Sequence, residues 1–369
     1  MKLMKTTEAV GQVLCHDITQ IIPGVKKDAV FRKGHIITKE DIPVLLSVGK
    51  DTIYIWENDE TMMHENEAAE VLYRMSACGT NSNETDGERH CEAAESGAFG
   101  GTKSKMHPSP VKEGKIEVIA DCDGLLKVDS EKLKKVNSFG EMMIATRHGN
   151  TTVKKGDKLA GTRIIPLVIK KDKLEAASHI CDDGPILDIK PFVVRKAAII
   201  TTGNEVFHGR IQDAFTPVIE KKIAEFGAQM MFHEVFDDDD KKITDGCLRA
   251  IEAGAEIVFC TGGMSVDPDD KTPLAIKNTG ARIVSYGSPV LPGAMFLLSY
   301  YDAGDRLVPI CGLPGCAMYN KRTIFDIVLP RLMARDMIYA DELAGLGEGG
   351  LCLNCDVCTF PNCGFGKGF

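Results

Sequence analysis

Residues 255–270 read AEIVFCTGGMSVDPDD. The first half is an almost unbroken apolar run, as expected of a strand covered on both faces. Gly262-Gly263 ends it, and acids follow. Upstream, RKAAIITTG (195–203) has the same form, an apolar run closing on a glycine turn. Between the two lie TPVIEKKIAEFG (216–227), amphipathic with Gly227 as a C-terminal stop, and QMMFHEVF (229–236), a second strand. DDDKKITDGCLRAIEAG (238–254) is a helix opened by acids, which suit the positive end of its dipole. Downstream come a helix in DKTPLAIKNTG (270–280), a strand in ARIVSYG (281–287) and a late strand in VPIC (308–311). A last helix, AMYNKRTIFDIVLPRLM (317–333), is bent or ended by Pro330. This alternation predicts an α/β domain over 193–338, a parallel sheet with helices on both faces.

In such sheets ligands bind outside the carboxyl ends of the strands. Four loops fall there: TTGNE (201–205), FDDDD (236–240), TGGMSVDPDD (261–270) and GLPG (312–315). Gly262 and Gly263 let backbone approach a ligand closely, and Thr202, Gly203, Thr261 and Ser265 stand beside them. Gly312, Pro314 and Gly315 precede a helix and suit an anion pocket at its N-terminus. Glu205, Asp238, Asp239 and Asp270 would repel a bare phosphate, so a bridging Mg²⁺ is expected among them. Singly, each motif also reads as a tight turn or a solvated helix start; their joint placement favours a site for a phosphorylated small molecule.

The rest of the chain is less informative. Residues 1–57 read as a small α/β module, with strands in AVGQVL, DAVFRKGHII and DTIYIWE and a helix over 40–48. Residues 58–112 hold a helix at 60–77, then a polar Gly/Ser/Asn-rich stretch that reads as a linker; His90 and Cys91 within it are taken as incidental. Residues 113–192 are β-rich, with a helix at 129–137. Residues 339–369 form a cysteine-rich tail. Its Cys352, Cys355, Cys358 and Cys363 are spaced C-x2-C-x2-C-x4-C, which suits Zn²⁺ or an iron–sulfur cluster, with redox-active thiols as the alternative.

A chain of 369 residues with net charge -9 lacks the basic surface of a nucleic-acid binder, and no apolar stretch is long enough to span a membrane. MKLMKTTEAVGQVL shows no secretory pattern, so a cytoplasmic location is expected. Thirteen cysteines, an odd number, argue against a disulfide framework there.

The stretch from Arg195 to Arg335, with TTGNEV, GRIQD, FDDDD, AEIVFCTGGMSVDPDD, VLPGAMF and GLPGCAMYNKRTIFDIVLP, resembles the molybdopterin-binding domain shared by molybdopterin molybdotransferases and adenylyltransferases. AVGQVLCHDI and FRKGH near the start resemble the front part of the multi-domain transferases. The resemblance implies molybdenum cofactor assembly: molybdate inserted into adenylylated molybdopterin, with loss of AMP, in a Mg²⁺-dependent step. It implies that Glu205, Asp238 and Asp270 do the chemistry, that Asp239 and Asp270 hold Mg²⁺, and that Thr202, Gly203, Thr261, Gly262, Gly263, Ser265, Gly312, Pro314 and Gly315 contact phosphate or pterin. It also implies a homodimer. The chain departs from the transferase pattern at Ala214-Phe215, Asp267 and Cys316-Ala317, and DKTP (270–273) is closer to the adenylyltransferase loop. A carrier or sensor of molybdopterin or molybdate, with a metal- or redox-responsive tail, is the alternative.

Overall fold

Alternating residues of two strands settle the layering. Ala197, Ile199, Ile257 and Phe259 lie in one buried cluster, whereas Ala198, Ile200, Val258 and Cys260 lie in another. Successive side chains of a strand point to opposite faces, so the sheet that carries them is covered on both sides.

A computed structural model of the chain describes residues 2–22, 26–55, 59–79, 105–265, 267 and 270–368. It divides into two units: residues 1–121, 128–147 and 156–188, and residues 122–127, 148–155 and 189–369. The stretch 113–192 contributes to both.

In the first unit an antiparallel sheet runs in the spatial order Met106–Pro108, Lys115–Ala120, Lys158–Ile164, Met142–Thr146. Helix Glu65–Ala77 packs on it and buries Ala68, Ala69, Leu72 and Met75. Near the N-terminus Lys2–Lys5 pairs with Thr52–Ile55 and Ile18–Ile22 with Lys26–Phe31. AVGQVL (9–14), expected as a strand, makes only isolated bridges at Val13 and Leu14, because Gly11 takes φ +82° and interrupts the extended run. Of the expected linker, residues 80–104, with His90 and Cys91, lie outside the described residues; Met106–Pro108 is a strand, paired with Lys115–Ala120.

The second unit holds the six-stranded sheet. Its strands are β1 (Lys196–Thr202), β2 (Gln229–Phe236), β3 (Ile257–Thr261), β4 (Arg282–Tyr286), β5 (Leu297–Asp302) and β6 (Leu307–Leu313), in spatial order β2-β1-β3-β6-β5-β4. Helices α1 (Phe215–Ala224) and α4 (Ile324–Met333) cover the Ile199 face; α2 (Asp240–Glu252) and α3 (Thr272–Asn278) cover the Ile200 face. Phe259 of β3 and Phe325 of α4 meet edge to face at 5.3 Å, the favoured aromatic geometry.

The sheet is mixed rather than wholly parallel. β2, β1, β3 and β6 run parallel, but β5 is antiparallel to both β6 and β4. The connections dictate this. Only residues 303–306 separate β5 from β6, and a parallel crossover needs about a dozen residues or more. β5 itself was not expected from the sequence. The last helix is shorter than expected: it begins at Ile324, where Thr323 accepts from the Phe325 amide and Asp326 accepts from the Thr323 amide, a capping box. Pro330 lies inside it.

Candidate functional site

Register decides which residues meet. Thr202 pairs with Phe236, Thr201 with Thr261, and Thr261 with Leu313. The carboxyl ends of β2, β1, β3 and β6 therefore stand in one row, and the loops with Asp238, Gly203, Gly262 and Gly315 leave from that edge.

The β1 and β3 loops interlock. Thr202 Oγ1 donates to the Thr261 carbonyl at 3.1 Å and shares a 3.0 Å hydrogen bond with Thr272 Oγ1 at the start of α3. Gly262 sits at φ +83°, and a Cβ there would stand 2.1 Å from the Thr202 carbonyl oxygen. Gly263, at φ +54°, would place a Cβ 2.8 Å from Thr272 Oγ1. Only glycine meets both demands, a left-handed backbone and a bare approach. Thr261 Oγ1 is buried with no hydrogen-bond partner among the described residues. A buried hydroxyl left unpaired is costly, and an ordered water would satisfy it.

The β1 loop also meets the β2 loop: the Asn204 amide donates to Asp238 Oδ2 at 3.2 Å. Glu205 is exposed in the short helix Asn204–Phe207. Asp239 caps α2, its Oδ1 accepting from the Lys241 and Lys242 amides at 3.0 and 3.3 Å. Asp270 turns back on its own loop, accepting from the Asp267 amide at 3.3 Å. Ser265 is exposed in the same loop.

The GLPG segment differs from expectation. Gly312 lies against Met264, where a Cβ would stand 2.5 Å from its Sδ and Cε. Pro314 and Gly315 open only a turn of 3-10 helix, Gly315–Ala317. No anion pocket at an α-helix N-terminus forms there, because the capping box holds the start of α4 at Ile324.

Two side chains that the sequence did not single out belong to this edge. Asp213 accepts from Thr201 Oγ1 at 2.9 Å, Thr216 Oγ1 at 2.6 Å and the Phe215 and Thr216 amides at 2.8 and 3.1 Å. Burial alone would raise its pKa, but the bonds from Thr216, Thr201 and Phe215 outweigh burial and hold it below the ordinary carboxylate value. The signal was present as D-A-F-T before a helix, an acid placed to cap it. Tyr286, on the antiparallel edge strand β4, is raised in pKa by burial and by the charge of Asp270. No local pattern carries that, since β4 reaches the loop only through the mixed sheet.

Among the described residues no three or more His, Cys, Asp or Glu side chains converge as metal ligands. Mg²⁺ asks for less than such a group: it typically uses one or two carboxylates and fills its shell with water and substrate phosphate. Cys352, Cys355, Cys358 and Cys363 are free, with Cys355 and Cys358 exposed and Cys352 and Cys363 packed against the core of their unit. Among the described residues no helix is long and apolar enough to cross a membrane.

Residues 198–334 match a family model described as "Probable molybdopterin binding domain", and residues 3–57 match one described as a domain of unknown function. A "Molybdopterin molybdenumtransferase" of Staphylococcus epidermidis is 26% identical over 156 residues, 40% of this chain and 37% of that protein. A "Putative competence-damage inducible protein" of a Geobacillus species is 33% identical over 88 residues, 24% of this chain and 20% of that protein. The solved tungsten cofactor synthesizing protein MoaB from Pyrococcus furiosus is 18% identical with a TM-score of 0.30, over 38% of this chain and 89% of that one. The chain spans between 20% and 37% of the length of these curated relatives. Residues 198–334 therefore belong to the molybdopterin-binding domain family.

Proposed function

We propose that the protein inserts molybdate into adenylylated molybdopterin, with Mg²⁺ and with release of AMP. The observation that supports this best is the row of strand ends Phe236, Thr202, Thr261 and Leu313, from which the glycine turns and the acids of one edge depart. Gly262 and Gly263, lacking side chains, let Thr202 and Thr272 close against them, which fixes the two strand-end loops side by side at this edge. Asp270, with Asp239 or Asp238, would hold Mg²⁺. When bound, Mg²⁺ neutralises the repulsion between these carboxylates and the substrate phosphates. Glu205 and Asp238, tied through the Asn204 amide, position molybdate beside the pterin. Thr202 and Thr272 keep the two loops locked, so the anion meets preorganised donors.

The test is direct. Full-length protein with Mg²⁺, molybdate and adenylylated molybdopterin should release AMP, read by chromatography, and omission of Mg²⁺ should stop it. Molybdopterin binding without AMP release would replace the enzyme reading with that of a carrier. No binding at micromolar concentration would remove the pterin itself. Asp270→Ala should weaken Mg²⁺-dependent ligand binding roughly ten-fold or more while the thermal unfolding midpoint stays put; unchanged affinity would take Asp270 out of the site.

A further inference from the structure

The C-terminal tail closes over two helices of its own unit. The Leu291 amide donates to the Gly350 carbonyl and the Cys352 amide to the Leu291 carbonyl, both at 2.8 Å. Further on, Phe365 is buried in the core to which α1 and α4 contribute, Phe360 packs against the same core, and the Gly366 amide donates to the Gly349 carbonyl at 3.0 Å. Between this tail and the two helices lies a cavity of about 160 Å³. Phe226, Ile327 and Phe360 give it apolar walls. Lys222, Arg322 and Lys367 line it with positive charge, and Asp326 and Glu225 with negative. No residue of the strand ends that form the candidate site takes part in it.

The charges do not cancel. Asp326 is buried, and its Oδ2 accepts from the Thr323 amide at 2.9 Å. Its Oδ1 accepts from Arg322 Nη1 at 2.9 Å and from Lys222 Nζ. One carboxylate therefore serves two cations, and the Lys222 side chain is only 14% exposed. An ammonium has three N–H donors, of which Asp326 takes one. A cation largely removed from water and incompletely matched is costly. At the same wall, Lys367 and Glu225 add one formal charge of each sign, so a single positive charge is left over. Arg322 is fixed on two sides, by Asp326 and by the Phe360 ring, whose centre lies 4.9 Å from the guanidinium. A guanidinium held in this way is a preorganised fork for a carboxylate.

We propose that this cavity binds a small aromatic monocarboxylate, with its carboxylate against Lys222 and Arg322 and its ring against Phe226 and Phe360. A monoanion cancels the one formal charge left over. A dianion such as phosphate would instead leave negative charge beside Asp326 and Glu225, and a neutral ring would leave the two cations as poorly matched as before. The apolar walls supply the second half of the selection, since an aromatic ring buries its area there and packs edge to face or offset on phenylalanine. Free inorganic anions lack that contribution.

The test uses the full chain with benzoate as the probe, and none of its readouts involves the pterin or Mg²⁺. Calorimetric titration should give one benzoate per chain, with benzyl alcohol and inorganic phosphate each at least roughly ten-fold weaker. Arg322→Gln should weaken benzoate by roughly ten-fold or more. Because Arg322 also touches Asp326 of the capping box, a second measurement leaves the sequence unaltered. Photolabelling with 4-azidobenzoate, read by peptide mass spectrometry, should mark residues within 222–226, 322–330 or 360–367, and excess benzoate should suppress it. Benzyl alcohol or phosphate binding as tightly as benzoate, a folded Arg322→Gln protein with unchanged affinity, labelling confined to other segments, or no benzoate binding at millimolar concentration would each overturn the proposal.

Discussion

Gly262 shows how much one position can decide. Its φ of +83° is a conformation L side chains rarely adopt, and the Thr202 carbonyl occupies the space a methyl group would need. Gly262→Ala must therefore strain the backbone or push β1 and β3 apart at the site. We expect a loss of at least about 2 kcal/mol in urea unfolding, together with weakened ligand binding; a variant as stable as the parent would show that the loop is not held as described. Asp213 makes the complementary point. The sequence displays an acid before a helix, but that it also receives Thr201 from the end of β1 follows only from strand register.

At the level of elements, the start of α4 carries the fold around the tail. Thr323 is 1% exposed and Asp326 is 6% exposed, and Asp326 joins the capping box to Lys222 of α1 and to Arg322. Thr323→Ala should cost about 1 kcal/mol, the usual value of a lost N-cap, read as a lower midpoint in thermal or denaturant unfolding. A larger loss would mean that the packing of Phe325 and Ile324 depends on the cap. The helix was legible from its apolar run, but its first turn was not. Residues 317–323 carry the same composition as a helix, and only the reciprocal bonds between Thr323 and Asp326 fix where it begins. The antiparallel pair β4–β5 was half legible for a like reason: ARIVSY announces a strand, whereas its direction depends on the short turn joining β5 to β6.

Across the second unit, one buried charge cluster links distant segments. Asp336 accepts from Lys190 and Arg331 Nε at 2.6 Å each and from Lys127 at 2.9 Å, and only 5% of the residue is exposed. Burial alone would raise its pKa, but Lys190, Lys127 and Arg331 overrule burial and hold it at about 2. A depressed carboxylate stabilises the fold above its unfolded pKa of 3.8, and that contribution is lost as the pH falls toward 2. Its size is roughly 2 kcal/mol at neutral pH. Asp336→Asn should therefore lower stability by about 2 kcal/mol or more at pH 7, and the gap to the parent should close between pH 4 and 2. A gap that is constant with pH would assign the effect to packing instead.

Sequence by itself determined the α/β alternation of the second unit, the strand-end position of its glycine turns and acids, and the family of residues 198–334. These rest on periodicity and on backbone geometry that few residue types tolerate, both of which are local. Tertiary structure alone decided the mixed direction of the sheet, the entry of Tyr286 and Asp213 into the candidate site, and the stacking of Arg322 on Phe360. Each of these depends on which strand or turn lies beside another, and contact energies between segments far apart in the chain leave no periodic trace in either one.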